Sequence, residues 1–262
     1  MKRGESAEAF ETVARRRELL ALLADQPLDK ASIVRRLDVS RSTVNRALSA
    51  LESYGFVDRI DGQYTTTTAG DLVRRHLCET LSTVEGLMQA RPLLAAADLD
   101  PPPALFRDAT VVTADEDRHG PVRFLVDLLT DATAVCSAGA VFRGDVPTPV
   151  RERLLDDDTL RMELLTSRET VDRMRAYHEP ELRTLVSSPR HDLRIADDCR
   201  GTTVAVVDAE GEETAVLVCY DETGEPIGLA HAADPASVAW ARERIERSWE
   251  AASPATEALG QF

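Results

Sequence analysis

The chain contains almost no lysine, few aromatic residues and no long apolar run. Of its 31 basic residues only Lys2 and Lys30 are lysines, and aromatic residues make up 5% of the sequence. No apolar run approaches the roughly 20 residues that a membrane-spanning helix needs, and the start MKRGESAEAF is too polar for a signal peptide. We therefore expect a soluble, cytoplasmic protein with no membrane partner.

Metal-binding and catalytic patterns are also missing from the sequence. The cysteines are far apart and form no C-x-x-C or Cys/His cluster, which argues against a metal site or a disulfide framework. There is no G-x-S-x-G elbow, P-loop, H-E-x-x-H or G-x-G-x-x-G fingerprint, and no His-x-Lys pair of the phospholipase-D type. We interpret His191 as a solvated loop residue rather than a catalytic base. The sequence therefore predicts no enzyme activity, no metal and no cofactor. The cysteines are Cys78, Cys136, Cys199 and Cys219.

Acidic residues are concentrated in the second part of the chain. Residues 1–75 carry 13 Lys and Arg and 11 Asp and Glu. The whole chain has 31 basic and 46 acidic residues, so residues 76–262 carry 18 Lys and Arg and 35 Asp and Glu. The first part is thus net +2 and the remainder net −17, so the low pI near 4.8 does not exclude nucleic-acid binding by the first part. An acidic excess with two lysines resembles proteins of salt-loving archaea, in which counterion release contributes less to DNA affinity.

Residues 29–57 have the pattern of a helix-turn-helix. Asp29 and Ser40 can each cap a helix, because their short side chains can accept the free N–H groups of a first turn. Only Asp38 and Val39 separate the two helices, so we expect them to cross steeply around a shared apolar core. The predicted core residues are Ile33, Leu37, Val39, Val44, Leu48 and Leu51.

The outer face of the second helix has no acidic residue. On a helical wheel the polar side chains point away from Val44 and Leu48, with Arg41 at the exposed start. Arg and Asn can contact base edges bidentately in a major groove, and Ser near a helix start suits phosphate. We expect Asn45 and Arg46 to contact bases, and Arg41 and Ser42 to contact phosphate. An ordinary amphipathic helix with a solvated polar face would show the same pattern.

A hairpin is predicted directly after this helix, because Asp61-Gly62 lies between two short β-prone runs. The LDVSRSTV turn, the Gly55-Phe56-Val57 exit and this wing resemble archaeal winged-helix transcriptional regulators of the MarR/ArsR type, over about residues 10–75. The resemblance implies a double-stranded DNA operator as partner. The residues assigned to DNA contact are Arg41, Ser42, Thr43, Asn45, Arg46, Ser49, Arg59, Gln63 and Tyr64.

Helices are predicted on both sides of this domain. One spans residues 6–24, and its run Arg15-Arg16-Arg17 is interpreted as a solvated face rather than a phosphate contact. The other spans residues 71–90 and has an apolar seam suited to pairing with a second copy, so we expect a homodimer. The seam consists of Val73, Leu77, Leu81, Val84 and Met88. Pro101-Pro102-Pro103 is interpreted as a stiff linker.

The remaining chain alternates between β-like and helical stretches and ends in a meander, which predicts a mixed sheet with helices on its faces. Its helices are expected at 122–131, at 149–157, at 168–186 with Thr166 and Glu169 as a capping box, and from Asp234-Pro235 to Trp249. Over about residues 105–252 it resembles the effector domain of archaeal methanogenesis regulators. We thus expect an α/β (α+β overall) protein with four parts. They are a winged helix-turn-helix (1–70), a connecting helix and linker (71–103), an α/β effector domain (104–252) and a tail (253–262).

The effector part offers one candidate ligand site. Two β-like runs end in small polar residues, and ligands of open sheets lie beyond the carboxyl ends of strands, where helix N-termini also point. A small anionic metabolite bound by Ser137, Ser167 and Arg168 is one hypothesis. The alternative is that Thr166 only caps a helix and Ser137 only forms a turn. Two functions remain for the whole chain. The first is a ligand-responsive DNA-binding regulator, and the alternative is a protein-interaction or RNA-binding module.

Overall fold

A computed structural model describes residues 3–97, 99–139, 148–156, 159–196 and 201–259. It divides into two compact units, Met1–Leu81 and Ser82–Phe262. The first unit is mainly helical and the second is built on a large sheet, which confirms the expected mixed α/β class. In the described residues, no helix combines the length and the apolar character needed to cross a membrane.

The first unit contains a bundle of helices and one hairpin. Its elements are α1 (Arg3–Arg15), α2 (Arg17–Asp25), α3 (Lys30–Leu37), α4 (Arg41–Ser53), β1 (Val57–Ile60), β2 (Gln63–Thr66) and the start of α5 (Thr68–Gln89). The predicted helix over residues 6–24 is thus two helices, because Arg16 has a non-helical backbone (φ −117°). The break lets α1 and α2 contribute Val13, Leu20 and Leu23 to one core.

Helices α3 and α4 begin at the predicted caps. The Asp29 carboxylate accepts the Ser32 N–H at 2.7 Å, and this hydrogen bond lowers the pKa of Asp29. The Ser40 hydroxyl accepts the Thr43 N–H at 3.1 Å. Between the helices Asp38 takes the left-handed conformation (φ 49°), which Asp adopts more easily than most residues. Local side-chain hydrogen bonds therefore fix the two helix starts, and the left-handed Asp38 makes the turn between them.

In its described residues the second unit contains the end of α5, further helices and a mixed sheet. Its helical elements are α6 (Arg91–Ala96), a 3₁₀ helix (Pro103–Phe106), α7 (Gly120–Thr130), α8 (Thr148–Asp156), α9 (Arg168–Tyr177), α10 (Glu179–Ser187), α11 (Pro235–Trp249) and the short α12 (Ala255–Leu259). Its strands are β3 (Thr110–Thr113), β4 (Ala134–Gly139), β5 (Arg161–Thr166), β6 (His191–Ile195), β7 (Thr202–Ala209), β8 (Glu212–Tyr220), β9 (Pro226–Ala232) and β10 (Ser253–Pro254).

The described strands of this unit form one eight-stranded sheet in the order β10-β6-β5-β4-β7-β8-β9-β3. Strands β4, β5 and β6 are parallel, and every other neighbouring pair is antiparallel. One face carries Val135, Val216 and Leu193 and packs against α7 to α10. The opposite face carries Val206 and Leu217 and packs against α6, the 3₁₀ helix and α11. The sheet is therefore covered by helices on both faces.

Two helix predictions in this unit need correction. Residues 168–186 form two helices, because the chain leaves the helical conformation at His178 and Pro180 has no N–H for a continuous helix. The cap of α9 is Ser167, whose hydroxyl accepts the Thr170 N–H at 3.2 Å, and not Thr166. Thr166 is instead the last residue of β5. The strand therefore includes the residue that the predicted capping box placed at the start of the helix.

The expected linker after α5 contains folded segments in the structure. Leu93 of α6 and Leu105 and Phe106 of the 3₁₀ helix are buried in the core of the second unit. The division between the units falls after Leu81, ahead of the expected start of the effector domain at residue 104. The proline run joins α6 to the 3₁₀ helix within the second unit, because the apolar residues on both sides of it pack on one face of the sheet.

Candidate functional site

Helix α4 presents a polar surface with no acidic residue over its first three turns. Its inner face is buried through Val44, Ala47, Leu48 and Leu51, none of which exceeds 4% exposure. The residues predicted to contact DNA lie on the other side. Arg41, Ser42, Asn45, Arg46 and Ser49 are exposed, and Thr43 is half-buried. We call this surface the α4 outer face.

The arginines of the α4 outer face are available to a ligand. Within the described residues neither Arg41 nor Arg46 forms an ion pair, whereas Arg15 and Arg74 pair with carboxylates of their own helices. The Ser40 hydroxyl lies 2.8 Å from that of Ser42 and 2.9 Å from that of Thr43. Hydroxyls therefore cluster at the start of α4, where the helix dipole favours an anion.

The hairpin places its predicted DNA contacts differently. Arg59 and Gln63 are exposed, as a contact role requires. Tyr64 is a core residue at 3% exposure, so its assignment to direct DNA contact is wrong. Its backbone pairs with Leu28, through hydrogen bonds of 2.8 and 3.0 Å, and this pairing draws the ring into the core of the first unit.

The buried Tyr64 ring brings together two cations. The Arg59 guanidinium carbon lies 5.6 Å and the Lys30 ammonium nitrogen 5.5 Å from the ring centroid. Both residues are exposed. Lys30 is absent from the predicted contacts, because only the pairing of Leu28 with Tyr64 brings the start of α3 next to the hairpin. We call Lys30 and Arg59 the wing cations.

The predicted ligand residues of the second unit lie at one edge of the sheet. Ser137 is half-buried in β4, Ser167 caps α9, and Arg168 is the exposed first residue of that helix. Because β4 and β5 are parallel, their carboxyl ends meet at this edge. Ser137 is therefore a strand residue and not the turn residue of the alternative interpretation.

Two further hydroxyls on the same face were not singled out from the sequence as ligand residues. Thr166 is fully buried at the end of β5. Thr203 in β7 is Gly139's register partner, and its side chain hydrogen-bonds to that of Tyr220. Burial raises the pKa of Tyr220 to about 12, so its hydroxyl stays protonated and neutral. Only the strand register places these two residues beside Ser137, and the register is known only once the fold is known.

The remaining candidate chemical groups are dispersed. Among the described residues no three or more His, Cys, Asp or Glu could hold a metal ion together. Cys136 is half-buried and Cys219 buried, and burial raises their thiol pKa values to about 11 and about 12. His191 lies half-buried in β6 and is not a solvated loop residue, and burial and the Arg190 charge lower its pKa. Cys199 lies outside the described residues.

Two family models match the chain. The HVO_A0261 N-terminal domain matches residues 5–89, and the middle domain of the methanogenesis regulatory protein FilR1 matches residues 118–251. The first match contains the α4 outer face and the wing cations, and the second contains Ser137, Ser167 and Arg168. No curated protein is significantly similar to the chain in sequence.

Solved structures give weaker likenesses. TrmBL2, an archaeal chromatin protein described as showing a novel mode of DNA binding, is 15% identical at a TM-score of 0.42, over 92% of this chain and 93% of its own. NucT from Helicobacter pylori is 11% identical at a TM-score of 0.42, over 56% of this chain and 98% of its own. The methyltransferase SibL is 16% identical at a TM-score of 0.28, over 72% of this chain and 62% of its own. These TM-scores are too low to establish a shared fold.

Proposed function

The chain belongs to the family of the middle domain of the methanogenesis regulatory protein FilR1, and on this basis we propose that it is a DNA-binding regulator of transcription. Its first unit would act as a winged helix-turn-helix that reads a double-stranded operator. Its second unit would respond to a small ligand and act as the effector domain. The observation that carries the DNA-binding part is the α4 outer face, which is exposed, basic and free of acid.

We assign different roles to the residues of this face. Asn45 and Arg46 lie in the second turn of α4, where a helix inserted in a major groove would bring them to the base edges. Arg41, Ser42 and Thr43 lie in the first turn, where hydroxyls and a positive helix end suit a phosphate. Ser49, one turn further on, is the last polar residue of the face. The wing cations and Gln63 would contact the backbone beside the groove.

An RNA-binding role has less support in the structure. RNA readers stack unpaired bases on exposed aromatic rings. Tyr64 is buried, and the half-buried rings of Tyr54 and Phe56 stack on each other with centroids 5.9 Å apart. The helix-turn-helix and the hairpin thus present no exposed aromatic ring, which favours a duplex as the partner.

We propose that the regulator binds as a homodimer, with a contact that differs from the predicted seam. Leu77 is buried, and Val73 and Leu81 are partly buried, in the core of the first unit. Val84 and Met88 are 46% and 71% exposed. These two residues are therefore the part of the seam that a second copy can cover. Such a dimer would present two reading helices to half-sites about one DNA turn apart.

Binding of labelled duplexes to the full chain tests the DNA-reading role. Fluorescence anisotropy is measured with the DNA upstream of the protein's own coding region and with a scrambled duplex, at several salt concentrations. We expect Arg46→Ala to lose about 1–3 kcal/mol on the specific duplex and to reduce discrimination. Arg17→Ala removes an exposed charge of the same unit from outside the α4 outer face and serves as the matched control.

The outcomes separate the assignments. Preserved discrimination in Arg46→Ala would remove base reading from that residue. Equal affinity of the unmodified protein for both duplexes would leave it without a recognised site in its own upstream DNA. Stronger binding of single-stranded RNA of the same sequence would favour the RNA-binding alternative over the operator.

A further inference from the structure

The hydroxyl of the buried Thr166 is left unsatisfied by the described residues. It is 0% exposed at the end of β5, and its hydroxyl has no hydrogen-bond partner in the part of the chain that the structure describes. A buried hydroxyl without a partner is unfavourable by about 1–3 kcal/mol relative to a satisfied one. Capping does not explain it, because Ser167 provides the cap of α9. A ligand hydrogen bond would satisfy this hydroxyl.

The strand register places Thr166 in a row with other polar side chains. Thr166 pairs with Ile195, and continuing the pairing of Ala138 with Leu165 by one residue places Gly139 on its other side. Gly139 in turn pairs with Thr203. Two strand spacings separate Thr166 and Thr203, which is roughly 10 Å. Gly139 between them has no side chain, and an added Cβ would lie 2.1 Å from the Thr202 carbonyl oxygen, so the backbones of β4 and β7 approach closely at this position.

Hydroxyl groups of three strands border the Gly139 position, and the orientation of one of them is fixed. The Thr203 side chain is held by its hydrogen bond to Tyr220. Ser137 lies on the same face two residues before Gly139, since it pairs with Leu164 and Ala205. A small polar molecule seated over Gly139 would therefore meet hydroxyls from β4, β5 and β7.

The start of α9 adds a preference for negative charge. The first N–H groups of a helix have no hydrogen-bond partner within the helix. At the start of α9 the Ser167 hydroxyl accepts a hydrogen bond from one of them, the Thr170 N–H. Arg168 is exposed and makes no ion pair within the described residues, and Glu169 is paired with Arg173 at 3.1 Å. The helix is ten residues long, enough for its dipole to favour an anion at this end.

We propose that the second unit binds a small hydroxylated oxyanion, a phosphate ester or a carboxylate, at this edge of the sheet. The anionic group lies at the start of α9 against Arg168 and Ser167, and the hydroxylated part lies over Gly139 between Thr166, Ser137 and Thr203. This assignment rests on the proposed effector role of the second unit and names the site and the ligand class. It adds Thr166 and Thr203 to the residues that the sequence indicated.

Calorimetric titration and thermal unfolding of the full chain without DNA test the site. The probes are glycerol 3-phosphate, lactate and inorganic phosphate, with glycerol as the uncharged control and potassium chloride added to equal ionic strength. We expect glycerol 3-phosphate or lactate to raise Tm in a concentration-dependent way, and glycerol to have no effect. Arg168→Ala and Thr166→Val should each lower the affinity of the chain for that probe by about tenfold.

Thr166→Val also gives a readout that does not need the probe. Because it removes a buried hydroxyl without a partner, we expect the Tm of the ligand-free chain to stay equal or rise. Thr113→Val is the matched control, as Thr113 is another buried threonine at a strand end, 8% exposed, on the opposite face of the sheet. It should leave the probe response unchanged.

Three results would overturn the proposal. The first is the absence of a Tm rise with every anionic probe. The second is a probe response that survives both Arg168→Ala and Thr166→Val. The third is a lower Tm of ligand-free Thr166→Val, which would show that the hydroxyl stabilises the fold itself. DNA affinity of the ligand-free chain is measured separately, so a failed site and a failed regulator role give different results.

Discussion

Gly70 of α5 lies directly against the carbonyl oxygen of Phe56. A methyl group added at Gly70 would lie 1.9 Å from that oxygen and 2.8 Å from its carbon. The same carbonyl accepts the Thr67 N–H at 3.1 Å, and the Thr67 hydroxyl donates to the Gly55 carbonyl at 2.7 Å. The close approach therefore joins the end of the hairpin and the start of α5 to the exit of α4.

We expect Gly70→Ala to destabilise the first unit by about 1–3 kcal/mol. Both backbone segments must move apart to accept the methyl group, and this overpacking outweighs the better helix propensity of alanine. Thermal and urea unfolding would measure the loss. Gly4→Ala in α1 is the control, since nothing lies within 4 Å of its added carbon. Equal stability of the two variants would show that the approach is not close in solution.

The wing cations should contribute to DNA affinity without contributing to sequence choice. Lys30→Ala and Arg59→Ala should each weaken binding to specific and scrambled duplexes by a similar factor, and lower the salt slope by about 1. The reason is that a phosphate contact releases counterions but reads no base. A change in discrimination in either variant would instead place that residue on a base edge.

The proposed dimer should depend on Val84 and Met88. Val84→Asp combined with Met88→Asp should give a monomer by light scattering and weaken operator binding, because two carboxylates would be buried in an apolar contact. Leu72→Asp is the control, since Leu72 is 55% exposed on the same helix, about 120° around its axis from Val84. A double variant that remains dimeric would place the contact elsewhere in the chain.

Two histidines should make the stability of the second unit depend on pH. Burial lowers the pKa of His231 below the ordinary value of 6.5, and burial together with the Arg190 charge lowers that of His191. As pH falls through 6.5 the unfolded chain binds protons before the folded chain does. We therefore expect Tm to fall as pH decreases below this value, until the folded-state pKa values are passed.

Single substitutions would assign this pH dependence. His231→Gln and His191→Gln should each reduce the slope of Tm against pH in this window. His119→Gln is the control, because His119 is exposed and makes no side-chain capping hydrogen bond. The paired carboxylates of Asp71 and Asp117, whose pKa values are lowered by arginine hydrogen bonds, act at lower pH. An unchanged slope in both histidine variants would contradict the assignment.

Sequence patterns were sufficient where the controlling interactions are local. The caps Asp29 and Ser40 and the Asp61-Gly62 hairpin all involve atoms within a few residues of each other, and all are present in the structure. The alternation of strands and helices likewise predicted the mixed sheet. Pro180 was a local signal of the break between α9 and α10, and the prediction of one helix overlooked it.

The sequence by itself determined which residues of α4 are polar and which are apolar, because the helical period places them on opposite faces. Only the tertiary structure decided that Tyr64 is buried with Lys30 and Arg59 near its ring, that Leu77 is buried in its own unit, and that Thr166 lies in one row with Thr203. Each of these facts depends on a pairing between segments far apart in the chain. Such pairings are selected by how the whole set of apolar surfaces can be buried at once, and no local pattern records that choice.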